Sequence, residues 1–144
     1  LPQERLEAGV LACLETLAPQ IDAFYITAHQ GMAVDAMPGL LKPLFSHNVP
    51  TWAQEGQGLV ERGAMLSITR GDTTAIGLFQ ATIIAEVLNG TRPGDLNQVF
   101  EEPKRIAVNL ETARRIGYDL PPGLVKSADQ VFEHIEHAEQ LDSQ

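Results

Sequence analysis

Short apolar runs that alternate with helical stretches constrain this chain more than any other feature. The first run, Ala23-Phe24-Tyr25-Ile26, is continuous rather than alternating. That pattern predicts a strand covered on both faces, as in parallel sheets. Val49-Pro50-Thr51-Trp52-Ala53, Ala64-Met65-Leu66-Ser67-Ile68 and Arg105-Ile106-Ala107-Val108 are three further runs of strand length. Pro50 has no N–H to donate, which suits a position near a strand start. Trp52, inside such a run, is expected as a core aromatic, with stacking on a ligand as the alternative.

Helical periodicity fills the intervals. Leu6, Val10, Leu14 and Leu17 recur on one face of a helix over Pro2–Leu17, which Pro19 stops. Met37, Leu40, Leu41, Leu44 and Phe45 share a face between Asp35 and His47, where Pro43 should kink or split the helix. Glu55 to Gly58 reads as a Gly-punctuated loop leading to a turn over Leu59–Arg62. Asn109 can cap a short helix through Ile116, with Gly117 as its end. Ser127 can cap a final helix through about Ala138. Helices alternating with strands predict an α/β fold, three-layer α/β/α with a mainly parallel sheet, the 144 residues forming one domain.

One helix does not fit a chain this short. Asp72 sits where an N-cap is wanted, and the pattern runs to Leu88 before Asn89-Gly90 ends it. Ala75, Ile76, Leu78, Phe79, Ile83, Ile84, Val87 and Leu88 cover more than one face. A helix apolar nearly all round needs neighbours on several sides. Thr91 to Pro103 then reads as a linker turning at Pro93-Gly94.

The charge balance narrows the partners. Nineteen acidic and ten basic residues give a net charge of -9. Phosphate backbones and anionic membrane surfaces repel such a chain, so nucleic acid is not an expected partner. Cys13 is the single cysteine. It can form no internal disulfide, and its apolar helical setting predicts a buried, inert thiol. No secretory signal or membrane span is visible. The chain opens at Leu1 directly in helical sequence, which suggests a fragment, so this leaves export open.

Chemical motifs are sparse. The sequence has no GxGxxG, P-loop or GxSxG pattern, so no cofactor is expected. His134 and His137 could share a face of the last helix but lack the further ligands a zinc site needs. His29 with Glu55 is the conceivable acid/base pair. The better candidates follow from topology, because open α/β sheets bind ligands outside the carboxyl ends of their strands. Those loops are Thr27–Gly31, Gln54–Gly58 and Thr69–Asp72. Thr27, His29 and Gln30 offer hydrogen bonds, and Glu55 offers an acid for a cationic group. Arg70 offers a planar fork for a carboxylate, with a surface salt bridge as its alternative. Asp72 is a helix cap first and a ligand contact second.

The order of segments carries a resemblance. Ile21-Asp22-Ala23-Phe24-Tyr25-Ile26 precedes a polar loop, and Asn48-Val49-Pro50-Thr51-Trp52-Ala53-Gln54-Glu55 follows. Val60-Glu61-Arg62-Gly63-Ala64 and Ala75-Ile76-Gly77 come next. The tail, Arg105 through Ala113 with Ile116-Gly117 and Leu120-Pro121, is the most specific part. Together they resemble the C-terminal half of ABC transporter substrate-binding proteins of the type I periplasmic-binding fold, in the group of tryptophan and other amino-acid binders.

The resemblance implies an incomplete second lobe, beginning at that lobe's second helix. It implies a small-molecule ligand, an amino acid or similar solute, trapped by hinge closure. It further implies an ABC permease as partner, a periplasmic or membrane-anchored extracytoplasmic setting, and no enzymatic activity. A ligand-sensing module of the same fold is the alternative, and a small α/β enzyme is a third. The helix over residues 72–89 would pack on a first lobe, and a homodimer of the chain could cover it instead. Glu55 matches an acid common in the family's second loop. His29 stands where the family often carries Asp or Asn.

Overall fold

Several helices of this chain stop at residues in left-handed backbone, Asn48, Gly63, Gly90 and Gly117, and those stops set the lengths of their elements. In the computed structural model, residues 2–27, 32–69, 73–101 and 104–142 are described. Helix α1 (Gln3–Leu17) leads through a 3-10 turn (Ala18–Gln20) into strand β1 (Phe24–Ile26). Helix α2 (Met37–Ser46) is entered by a 3-10 turn at Val34–Ala36, and Pro43 lies inside it without dividing it. The Pro43 ring removes one donor, and the acceptor it would have served belongs to Gly39, which carries no side chain to crowd it. Asn48, at φ 54°, turns the chain while the Val49 N–H returns to the Leu44 carbonyl at 2.8 Å. Strand β2 (Thr51–Ala53) follows.

The stretch expected as a loop and turn after β2 is instead helix α3 (Gly56–Glu61). Its end explains why: Gly63 adopts φ 114°, the Ala64 N–H reaches the Leu59 carbonyl at 2.9 Å, and the Gly63 N–H reaches the Val60 carbonyl at 3.2 Å. Strand β3 (Leu66–Thr69), helix α4 (Thr73–Leu88), a 3-10 turn (Pro93–Asp95) and strand β4 (Arg105–Asn109) continue the chain. Helix α5 (Leu110–Arg115) begins at the Asn109 cap, whose side chain accepts the Thr112 N–H at 3.0 Å. Gly117 at φ 67° ends it, with the Tyr118 N–H on the Ala113 carbonyl.

The expected last helix is replaced. Helix α6 (Pro122–Ser127), strand β5 (Gln130–Phe132) and helix α7 (Glu139–Asp142) occupy that segment. Val131 and Phe132 are strand formers, and β4 offers them a parallel edge. His134 and His137 therefore share no helix face, and His137 sits at φ 62° in a turn.

The five strands form one sheet in the order β1-β2-β3-β4-β5. The pairs β1–β2, β2–β3 and β4–β5 are parallel, and β3–β4 is antiparallel. The fold is thus α/β with a mainly parallel sheet. The chain divides into two compact units, Leu1–Thr69 with Arg105–Gln144, and Arg70–Lys104. In the first unit, Leu14, Ala18, Met37, Leu40, Leu41, Leu44, Leu59 and Val60 pack with Ile26, Ala53 and Ala107 of the sheet. Each fully buried large apolar side chain contributes about 1.5–3 kcal/mol.

That packing uses one face of β1 and β2. Ile26 and Ala53 are sealed, whereas their neighbours Tyr25 and Trp52 remain 54% and 41% exposed. These two strands are therefore not covered on both faces, and Trp52 is not a core residue. Cys13 is exposed too, rather than buried. In the second unit, the Phe79 and Phe100 rings pack at 5.2 Å. Leu78 and Leu88 of α4 are 66% and 81% exposed, and Ile84 is exposed as well. Among the described residues no helix is long and apolar enough to cross a membrane.

Candidate functional site

Three parallel strands, β1, β2 and β3, end at the same edge of the sheet, and the pairing register fixes what stands there. Ile26 lies opposite Ala53, and Ala53 opposite Ser67. The Gln54 N–H continues the ladder onto the Ile26 carbonyl at 2.8 Å. One residue further along, Thr27 and Gln54 are level and exposed. Glu55 follows in extended backbone, at φ -99° and ψ 98°, immediately before α3. It is exposed, and its carboxylate makes no cap bond to the helix that follows.

Thr27 also belongs to an open, largely apolar groove of about 500 Å³ whose lining includes Arg5, Cys13, Tyr25 and Met32. Thus Thr27 and Glu55 follow the carboxyl ends of neighbouring strands at one edge. His29, Gln30, Arg70 and Asp72 lie outside the described residues.

The antiparallel return of β4 adds a residue that sequence reasoning missed. Thr69, the last residue of β3, pairs with Arg105, the first of β4. The amino-terminal end of β4 therefore stands at the same edge as the carboxyl ends of β1 to β3. Reading the strands as a parallel set puts Arg105 at the opposite edge. The signal that could have found it is the long segment between β3 and β4, which permits a return in either direction.

The opposite edge is built for rigidity. Asn109 is fully buried and donates to the Val60 carbonyl at 2.8 Å and the His134 carbonyl at 3.3 Å. Thr112 donates to the Gly63 carbonyl at 3.0 Å, and Thr51 accepts the Met65 N–H at 2.9 Å. Arginines then pin the carboxyl-terminal segment. Arg62 contacts Glu136 at 3.0 Å and Asp35 at 3.4 Å. Arg115 bridges Glu111 at 2.8 Å and Asp142 at 2.9 Å.

Burial pushes the Glu111 carboxyl up, but the Ile135 N–H, the Arg115 guanidinium and the nearby His134 outweigh it and hold it below its ordinary value. The Arg115 hydrogen bond and charge likewise lower Asp142. These shifts mark a structural ion network. Among the described residues no group of three or more His, Cys, Asp or Glu side chains could hold a metal.

Comparison with known proteins agrees with this architecture. Residues 8–132 match the family described as ABC transporter substrate binding protein. No curated protein matches. Three solved structures are similar. A ligand-free, open substrate-binding protein with adhesive properties from Clostridium difficile is 21% identical, covers 89% of this chain and has a TM-score of 0.68. An ABC domain in complex with L-Trp from Streptococcus pneumonia is 21% identical over 88% of this chain, with a TM-score of 0.62. A conserved domain protein from Vibrio cholerae O1 biovar El Tor is 25% identical over 87% of this chain, at 0.62. The chain spans 41% of the length of the Vibrio structure and 42% of the length of each of the other two.

Proposed function

Because this chain belongs to the ABC transporter substrate-binding protein family, we propose that it forms part of a solute receptor that delivers a small molecule to an ABC permease. The supporting observation is the edge where β1, β2 and β3 end together and present Thr27, Gln54 and Glu55. Ligands of open α/β sheets sit at such an edge. His29, Gln30, Arg70 and Asp72 follow the same strand ends in sequence and belong to the proposed ligand wall.

The solute is an amino acid or a similarly small molecule, as with the L-Trp held by the pneumococcal relative. The receptor captures it by closing a second lobe over this one, outside the cytoplasm, and performs no catalysis. The exposed Leu78, Ile84 and Leu88 of α4 are the surface that docks on that other lobe. In its absence a second copy of the chain covers them.

A thermal-shift screen on the full-length protein, with amino acids, small amides, sugars and nucleosides, tests the reading. A true solute at one hundred times its Kd stabilises the folded state by about 2.7 kcal/mol. Stabilisation by none of the four classes would contradict it.

A further inference from the structure

Strand β1 has a partner on one side only. It stands first in the sheet order and pairs with β2 alone. The Phe24 N–H donates to the Pro50 carbonyl at 3.0 Å, and the Ile26 carbonyl accepts the Gln54 N–H at 2.8 Å. Backbone groups of successive strand residues point to opposite sides, so the N–H and carbonyl of Tyr25 point away from β2. Among the described residues neither finds a backbone partner.

The two edges of the sheet are finished differently. At the far edge, β5 is flanked directly by Asp129 and Glu133. Charge beside an edge strand discourages another strand from joining it. At the near edge, β1 is flanked by Ala23 and Thr27, and residues 23–27 hold no charge and no proline. Phe24, Tyr25 and Ile26 are all strand formers. An unpaired, uncharged edge of this composition is a template for a further strand.

The open groove of about 500 Å³ runs beside that edge. Leu6, Val10, Cys13 and Leu17 of α1 line it together with Phe24 and Tyr25 of β1, and Arg5 is the one charged residue among the described lining. Leu17 and Tyr25 are exposed there. A strand added to β1 would bond the Tyr25 main chain and lay alternate side chains against this apolar lining.

We propose that the β1 edge is an interaction surface for one further strand, apolar where it faces the groove and supplied by the receptor's own polypeptide outside these 144 residues. An open edge invites pairing with other molecules, so the strand that closes it has to be present at every encounter. A segment of the same polypeptide meets that demand, and a transient partner does not. The solved structures that this chain matches have the length to supply it, since the chain spans 41% or 42% of them. The inference rests on the chain being part of a larger receptor, but not on which solute that receptor takes. It moves β1, and Thr27 after it, from the border of the sheet to its interior.

The test is nuclear magnetic resonance of the full-length protein without solute. The Tyr25 amide should exchange with deuterium roughly a hundredfold or more slowly than an unstructured amide, as the bonded Phe24 amide should. Nuclear Overhauser contacts should join the Tyr25 backbone to a residue outside Leu1–Gln144 and persist on dilution. A Tyr25 amide that exchanges at the unstructured rate beside a protected Phe24 would overturn the proposal. So would contacts confined to Leu1–Gln144, or contacts that vanish on dilution and so identify a second molecule as the occupant. Each of these failures leaves the solute reading standing, because no solute enters the measurement.

Discussion

The Asn109 side-chain amide donates to the Val60 carbonyl at 2.8 Å, tying the end of β4 to α3 across 49 residues of sequence. The same side chain caps α5 through the Thr112 N–H. One buried amide therefore fixes the relative placement of a strand and two helices. Asn109→Ala removes the cap and strands a buried carbonyl, so we expect a loss of about 2–4 kcal/mol. Urea unfolding checks this, and a loss under about 0.5 kcal/mol would contradict it.

Gly63 makes a second, conformational demand. At φ 114° it sits where a side chain is strained, and a Cβ would touch Ile135 and Leu41 at 3.5 Å, ordinary contact distance. The cost of Gly63→Ala thus comes from the backbone rather than from crowding, about 1–3 kcal/mol. Gly9, where a Cβ meets nothing within 4 Å and the backbone is helical, is the control. Gly9→Ala should stabilise α1 by about 0.5–1 kcal/mol, and thermal melting of the two variants should move in opposite directions.

Much of this was legible in the sequence, and the misses share one cause. Strands β1 to β4, the Asn109 cap and the Gly117 stop follow from local patterns. Helix α3 was hidden because two glycines occupy its first three positions, and propensity argued against the helix that the Gly63 turn completes. Strand β5 was hidden because a three-residue strand exists only through its partner β4. Trp52 and Cys13 were misplaced because burial depends on which face the helices choose. At the candidate site, Thr27 and Glu55 could be named from topology. Arg105 could not, since its position depends on the direction of β4.

The arginine network sets a pH dependence. The Glu111 and Asp142 carboxyls are both held below their ordinary values of 4.5 and 3.8. Groups with lowered folded values contribute stability above those ordinary values and lose it as pH falls through the folded ones. The attachment of Ile135, whose N–H donates to Glu111 at 2.7 Å, should therefore be intact at pH 6 and weaken only as pH falls below the ordinary 4.5. Amide hydrogen exchange at Ile135 against pH measures this. In Glu111→Gln the carboxylate component of the dependence should vanish, and an unchanged profile would refute the assignment.

The exposed apolar residues of α4 predict association. Sedimentation of the isolated chain at micromolar concentration should show a dimer. Replacing Leu78 and Ile84 by glutamate should return a monomer, because charge on an apolar interface is left desolvated and unpaired. A monomer without any substitution would contradict the proposal that these residues need a covering partner.

The proposed function places the solute where β1, β2 and β3 end. The direct measurement is backbone amide chemical-shift mapping of the full-length protein during titration with the solute that the thermal screen identifies. The largest perturbations should fall at Thr27, Gln54, Glu55 and Thr69, with little change at Met65 and Asn109 on the opposite edge. Perturbations concentrated at Met65 and Asn109, with Thr27 and Glu55 silent, would contradict it.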